Sequence, residues 1–592
     1  MPPAKNYFWL YLLLIFSCLT DSSLYAQYTV QAQVIDGQTQ LPLSYATVAK
    51  IGQAGGTLTN AEGVFSLEFD RASDSLAISF LGYETRRFQA ADLRTTPKVS
   101  LQPQEIDLMD VTVYSEDEYL YRAIADCRKT LRRAPTASSR AYLQLVTNSP
   151  EQPVELIQAY YNLELSQRRI EDFHLKNGRV AMATQDGMYF VNLSTTQALT
   201  QLDLYNSNSS FNRQPLQFNL RTLRRKFELR RLASLTNPSL YHIAFNPREE
   251  GQALFSGEMW IDKNTFQLHK LIIRDEDVEE HPFFSVFPNK EIERLGLEMS
   301  YTFLPVEDQM QLSHIEWKYE IKLVPITTEP SRLGGLGLTL VQTEGILHCY
   351  DYNSSFWEPF YEYDPLHNDY RKISFLPYNP DFWATSHGLV YTQKQLQQMA
   401  FFRDHGFLMN HFDLSETKEG FFEFNNPQWQ ADTRSYYQES DPPNSPDEVD
   451  IRLNANQIDL FNKGDEKDIA VQIFLDLNQL GDSIQYTSVT VLDLYQTVSH
   501  PPYDSLDHCL LNMYFDLCEI ERRKMMELLE GVNDYDQAAA IYQETKEEVD
   551  RVQQTFFREV WGTKPKQMLR KWNALIYQEL GIDNIALFKI EV

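Results

Sequence analysis

The chain has 592 residues with 43% hydrophobic and 13% aromatic content, enough for several packed cores and too apolar for wholesale disorder. Its formal charge of −29, from 82 acidic and 53 basic residues, sets it against nucleic-acid backbones and anionic lipid surfaces, so no nucleic-acid partner is expected. Length alone favours about three or four domains of roughly 150 residues.

The N-terminus carries one early basic residue, Lys5, and an apolar run from Phe8 to Leu19, too short to span a bilayer. Residues 1–26 read as a secretory signal cleaved after Ala26. A second reading is a lipoprotein signal with Cys18 as the lipidated residue, which would tie the chain peripherally to a membrane; Phe16 fits that pattern poorly. Either way an exported protein is expected. Cys127, Cys349, Cys509 and Cys518 remain after the signal. They are too few for a disulfide scaffold and lack the C-x-x-C spacing of a zinc site.

Residues 28–114 hold about seven short strands with turn signals between them, the pattern of a β-sandwich. In "YTVQAQVID", Val30, Ala32 and Val34 share one face. "GGTLTNAEGVFSL" (55–67) reads as strand, tight turn, strand. Asn60 tolerates a left-handed backbone and Gly63 takes positive φ without a Cβ clash, so the pair shapes a hairpin, and Phe65 and Leu67 fill a core. An Asn-x-x-Gly turn supplies too few oxygens for calcium. Three segments in order carry a family resemblance: Val34–Asp36 with Leu41–Val48, then Gly56–Leu67, then Leu76–Tyr83. They resemble the first hairpin, central turn and "GY" strand of the carboxypeptidase regulatory-like domain. That resemblance implies a transthyretin-like sandwich at the N-terminus of a secreted or outer-membrane-associated Gram-negative protein. It places the chain in the periplasm, the outer membrane or the cell surface.

Residues 115–350 begin with an amphipathic helix at 117–133, stopped by Pro135, with Tyr121, Ile124 and Leu131 on its apolar side. A long run of strand-like segments follows: "AYLQLVTN", "VELIQAYYNLEL", "MYFVNLS", "YHIAFNP", "ALFSGEMWID", "FQLHKLIIRD", "LEMSYTFL" and "HIEWKYEIKLV". Gly257–Leu268 is a hairpin turning at Asp262 to Thr265. It resembles hairpins of large curved sheets in lipoprotein-carrier-like periplasmic proteins, which implies a wide antiparallel sheet with half-barrel curvature. Residues 351–438 combine an aromatic-rich strap with a short helix at 392–406. Trp357, Phe360, Tyr361, Tyr363, Tyr370 and Trp383 are candidates for a ligand surface; the alternative is a strap whose rings seal the sheet. Residues 439–450 form an acidic, Pro-rich linker. Residues 451–592 form a mixed domain with a few strands and three helices near 504–530, 535–561 and 564–580. The expected fold is therefore multidomain and mainly β, with an α+β C-terminal part.

Catalytic motifs are not found in the sequence. No histidine begins His-x-x-Glu, the metal-holding pair of a zinc carboxypeptidase, and neither a nucleophile elbow nor a phosphate-binding loop occurs. Asp404, His405, His411 and Asp413 are weak candidates for a divalent ion, because a spacing of six does not align two histidines on one helix face. No cofactor is expected. The reading is a non-enzymatic exported protein acting in binding or assembly at the outer membrane, with envelope proteins, a glycan or an apolar molecule as partner. The alternatives are a hydrolase on glycans or peptides, and a lipid or lipoprotein carrier with an apolar cavity on the inner side of the 140–350 sheet.

Overall fold

The computed structural model describes residues 28–104, 118–409 and 470–591, apart from 53–54, 186–187, 190–194, 207–210, 233–238, 250, 284–289, 307–308, 326–339, 363–368, 370–371, 374–375, 387, 481–482 and 493–504. The signal region with Cys18, the 439–450 linker, Tyr363, Tyr370, His411 and Asp413 lie outside the described residues. Two compact units result, and each is taken by itself.

The first unit contains a seven-stranded sandwich. Its strands are β1 (Tyr28–Asp36), β2 (Thr47–Lys50), β3 (Gly56–Leu58), β4 (Val64–Phe69), β5 (Ser75–Ser79), β6 (Arg86–Gln89) and β7 (Lys98–Leu101), with a short helix α1 (Ala90–Thr95). One sheet has the order β4-β1-β7 and the other β3-β2-β5-β6. Alternation places Val30, Ala32 and Val34 in the core with Phe65, Phe69 and Ile78. The expected hairpins are not hairpins. β3 and β4 belong to opposite sheets, as do β1 and β2, so the Asn60–Gly63 turn carries the chain across the sandwich. The turn chemistry holds: Asn60 Oδ1 accepts from the amides of Glu62 and Val64, both at 2.9 Å. Gly63 has φ 74°, and a Cβ there would sit 2.5 Å from the Val34 carbonyl oxygen. Local turn residues specify the reversal and leave open which strand the chain meets next.

The second unit is built on one sheet. Its early strands are β8 (Ala137–Asn148), β9 (Pro153–Leu165) and β10 (Ile170–Met182), beside a separate pair β11 (Thr184–Gln185) and β12 (Met188–Tyr189). Next come β13 (Phe227–Arg231), β14 (Leu240–Pro247), β15 (Ser256–Asp262), β16 (Leu268–Asp275), β17 (Lys290–Val306), β18 (Gln309–Pro325), β19 (Leu340–Tyr350) and β20 (Phe407–Met409). They form an 11-stranded sheet of order β13-β14-β15-β16-β17-β18-β19-β8-β9-β10-β20. The inner face is apolar, with Ile243, Met259, Leu271, Met299, Ile315, Leu347, Leu143 and Ile157 in the core. Helices α2 (Glu118–Arg132), α3 (Thr195–Gln201) and α4 (Leu220–Lys226) fill that side. On α2, Leu120, Ala123 and Cys127 join Tyr121, Ile124 and Leu131 as buried residues.

The chain closes with a hairpin, β21 (Val471–Leu480) and β22 (Ser483–Leu492). Helices α5 (Pro380–Thr385) and α6 (Gln393–His405) precede it, and α7 (Ser505–Leu529), α8 (Tyr535–Val560), α9 (Pro565–Leu580) and α10 (Asn584–Leu587) follow it. Cys509 and Cys518 are both buried and unbonded, because α7 is covered on most of its circumference.

Candidate functional site

The sheet curls tightly enough to create a mouth at one end. Gln167, in the β9–β10 loop, donates from Nε2 to the Leu268 carbonyl of β16 at 3.0 Å. Four strands lie between β9 and β16 in the sheet order. A flat sheet would hold them about 24 Å apart at roughly 4.8 Å per strand, so this bond requires the sheet to fold over its helices. At the same end stand the C-terminus of α2, the β15–β16 turn and the start of β18.

Each of these pieces is fixed locally. Asp262 Oδ1 accepts from the amides of Asn264 (2.8 Å) and Thr265 (2.7 Å) and from the Thr265 hydroxyl (3.0 Å). Burial alone would raise the Asp262 pKa, but those hydrogen bonds hold it below the usual carboxylate value. Phe266 follows with φ 57° at the end of the turn, and beyond it the pairing shifts by one residue, Ile261 facing Leu268 and Trp260 facing Lys270. Thr130 Oγ1 lies 2.7 Å from the Cys127 carbonyl oxygen and 3.2 Å from that of Phe266, joining α2 to the turn. Between these parts is a cleft of about 270 Å³ lined by Lys129, Arg133, Gln167, Thr265, Gln267 and Gln309. The turn at Asp262 to Thr265 was legible in the sequence; the cleft was not, because its walls come from four separated segments.

Beside α3, a space of about 10 Å³ lies among Leu199, Phe211, Phe283, Met299, Trp317 and Tyr319. Trp317 Nε1 and Tyr301 Oη are buried and, among the described residues, have no hydrogen-bond partner. Gly345 makes room for the indole: a Cβ would lie 2.3 Å from Trp317 Cζ2.

The outer face carries polar residues in register across seven strands: Tyr142, His348, His314, Thr302, Lys270, Trp260 and His242. The His242 and Trp260 rings stack at 4.1 Å, and His242 Nε2 lies 2.8 Å from Glu258. His314 (3% exposed) and His348 (6%) face each other across β18 and β19. Burial, with His314 alongside, lowers the His348 pKa to about 3. Sequence reasoning passed over these histidines. Their alternation with Ile315 and Trp317 marked a polar face, and register alone made them neighbours.

Of the aromatic candidates, Trp357, Phe360, Tyr361 and Trp383 lie among the described residues and make contacts within the second unit. Trp357 stacks on Tyr535 at 5.3 Å and Phe360 on Tyr542 at 4.8 Å. Tyr361 is buried against Phe474. Trp383 lies under the Arg179 guanidinium and donates from Nε1 to Asn177 Oδ1 at 2.6 Å. Phe360 also pairs backbone to backbone with Leu475 of β21. Of the metal candidates, His405 stacks on Phe401 and Asp404 pairs with Arg403 at 3.2 Å. Among the described residues no group of three or more His, Cys, Asp or Glu side chains could hold a metal ion.

Sequence reasoning also missed a fully buried ion pair. Lys176 and Asp476 pair with side chains 1% and 0% exposed. The Lys176 ammonium also donates to the carbonyls of Trp357 (2.7 Å) and Leu477 (3.0 Å), and Asn379 Nδ2 donates to Asp476 Oδ2 at 2.6 Å. Three acceptors match the three N–H groups of an ammonium. Burial lowers the Lys176 pKa and raises that of Asp476, while the partner opposes each shift.

Comparison with known proteins supports the domain reading at the N-terminus. Residues 30–113 match the family model described as CarboxypepD_reg-like domain, as the turn motifs implied. No curated protein matches the chain. Among solved structures, a LolA superfamily protein from Nitrosomonas europaea is 10% identical at a TM-score of 0.17, covering 40% of this chain and 94% of its own. A DUF1329 family protein from Desulfovibrio piger is 9% identical at 0.17, covering 43% and 96%. The MucA/MucB complex of Pseudomonas aeruginosa gives 11% at 0.12, covering 39% and 93%. Likeness at this level carries nothing about function.

Proposed function

We propose that this chain is an exported, non-enzymatic binding protein of the bacterial envelope, acting in binding or assembly at the outer membrane, with its ligand seated at the polar mouth of the curved sheet. The observation that carries this is the cleft of about 270 Å³. Its lining presents cations, amides and hydroxyls, and among the described residues no carboxylate, imidazole or thiol lines it. Such groups hold a ligand by hydrogen bonds and leave the chemistry of bond cleavage without its usual acid–base pair. The signal-like N-terminus and the regulatory-like domain without a His-x-x-Glu pair support the same reading. A thermal-shift screen of saccharides on the wild type and on Gln267→Trp, which fills the cleft, tests it. Binding lost in the variant supports the reading. Binding retained there, hydrolysis products, or stoichiometric zinc lost on His405→Ala overturns it.

A carrier of apolar molecules is the second reading, favoured by the unpartnered Trp317 Nε1 and Tyr301 Oη on the apolar wall. The space beside α3 and Trp317 is about 10 Å³, so an acyl chain seated there would have to displace α3. Organic extraction of the purified protein separates the two: stoichiometric lipid favours the carrier, and its absence favours the polar cleft.

A further inference from the structure

We propose that the mouth cleft binds an acidic sugar, its carboxylate held by Arg133 and Lys129 and its hydroxyls by the surrounding amides; this rests on the binding reading above. In a chain of net charge −29, this cleft is lined by Arg133 and by Lys129, which is paired with Asp126, and among the described residues by no carboxylate. A strongly acidic protein repels anions at long range, so an anionic ligand needs a local cationic seat.

Lys129 lies in the last turn of α2, where a cation offsets the helix dipole, and its ammonium bonds Asp126 at 2.7 Å. An ammonium with one bond made keeps two donors. Arg133 lies past the last helical residue, Arg132, and its side chain makes no ion pair or hydrogen bond among the described residues. A free guanidinium in a cleft offers a planar fork that matches a carboxylate bidentately.

Gln167 is 5% exposed and its amide is locked by the bond to Leu268. Thr265 spends its hydroxyl proton on Asp262 and so offers an acceptor. Gln267 and Gln309 each add an amide that donates and accepts. Mixed donors and acceptors suit hydroxyl groups, which are both. A volume of about 270 Å³ lies at the small end of ligand clefts, enough for the end of a saccharide chain rather than a long stretch.

Isothermal calorimetry of the full chain with an oligogalacturonate and with a neutral cello-oligosaccharide of equal length provides the test. The expected result is binding of the acidic chain, weakened by salt, and weakened about tenfold or more by Arg133→Gln with Lys129→Gln adding to the loss. Arg133→Lys should recover part of the affinity, and unchanged melting of the variants shows that they fold. Equal binding of both saccharides, indifferent to Arg133→Gln, overturns the acidic-sugar proposal and leaves the binding reading standing. Binding of neither overturns the proposal, and the saccharide screen on Gln267→Trp then decides the fate of the broader reading.

Discussion

Removing one member of the Lys176–Asp476 pair should release the C-terminal hairpin from the sheet. Asp476→Ala leaves the Lys176 ammonium with the carbonyls of Trp357 and Leu477 but with no counter-charge, in a site where its side chain is 1% exposed. At about 4 Å and an effective dielectric near 20, two unit charges attract by about 4 kcal/mol, and the several kcal/mol that each charge costs to bury are offset only while both are present. The single substitution should therefore destabilise by about 3–5 kcal/mol. Asn379 Nδ2 also loses its acceptor at 2.6 Å, which adds to the cost. Lys176→Met should behave similarly, because it strands the carboxylate. The double variant Lys176→Met/Asp476→Leu should lie within about 1 kcal/mol of wild type or above it, since no charge is left buried. Differential scanning calorimetry with limited proteolysis around residues 471–492 reads both effects. An Asp476→Ala protein that melts like wild type, or a double variant as unstable as the sum of the singles, would refute the reasoning.

Three further outcomes follow from the same structure. His348, with its folded pKa pushed to about 3, stays neutral when native while the unfolded chain gains a proton below about pH 6.5. Stability should then fall on acidification, by up to about 1.4 kcal/mol per pH unit until the folded pKa is reached, and His348→Gln should flatten the acid limb of a stability-against-pH curve; an unchanged slope rejects this. Gly257→Ala places a Cβ 1.9 Å from the Ile272 carbonyl oxygen, a backbone atom that cannot give way without breaking the β15–β16 pair. It should cost at least about 1–3 kcal/mol, read as a lower urea midpoint, and a wild-type midpoint would count against the register. Cys127, Cys349, Cys509 and Cys518 are buried with thiols pushed up in pKa, so they should resist a thiol reagent in the native protein and react on unfolding. Rapid native labelling of any of them would contradict that burial.

Much of the local structure was legible because it depends on neighbours in sequence. The α2 stripe, the Asp262–Thr265 turn and the three C-terminal helices follow from period, turn residues and caps. β10 went unread: "IEDFHLKNGRVAM" interleaves charges, and Lys176 sits at a register shift between Leu175 and Asn177. Its partner Asp476 lies 300 positions away, beyond the reach of any local pattern. The short helices α3 and α4 were also missed, because seven residues give too little periodicity to distinguish.

By itself the sequence determined a sandwich with regulatory-like turn motifs, a strand-rich middle and a helical end, together with its net charge of −29. Those properties are sums over composition or products of contacts a few residues apart. Tertiary structure decided that the Asn60–Gly63 turn bridges two sheets, that Trp357 and Phe360 stack on rings of α8, and that Arg133, Gln167, Thr265 and Gln309 meet at one mouth. Each of these depends on strand order and curvature. Those are fixed by long-range burial of the apolar inner face, and no local pattern along the chain encodes which distant strand that burial will bring alongside.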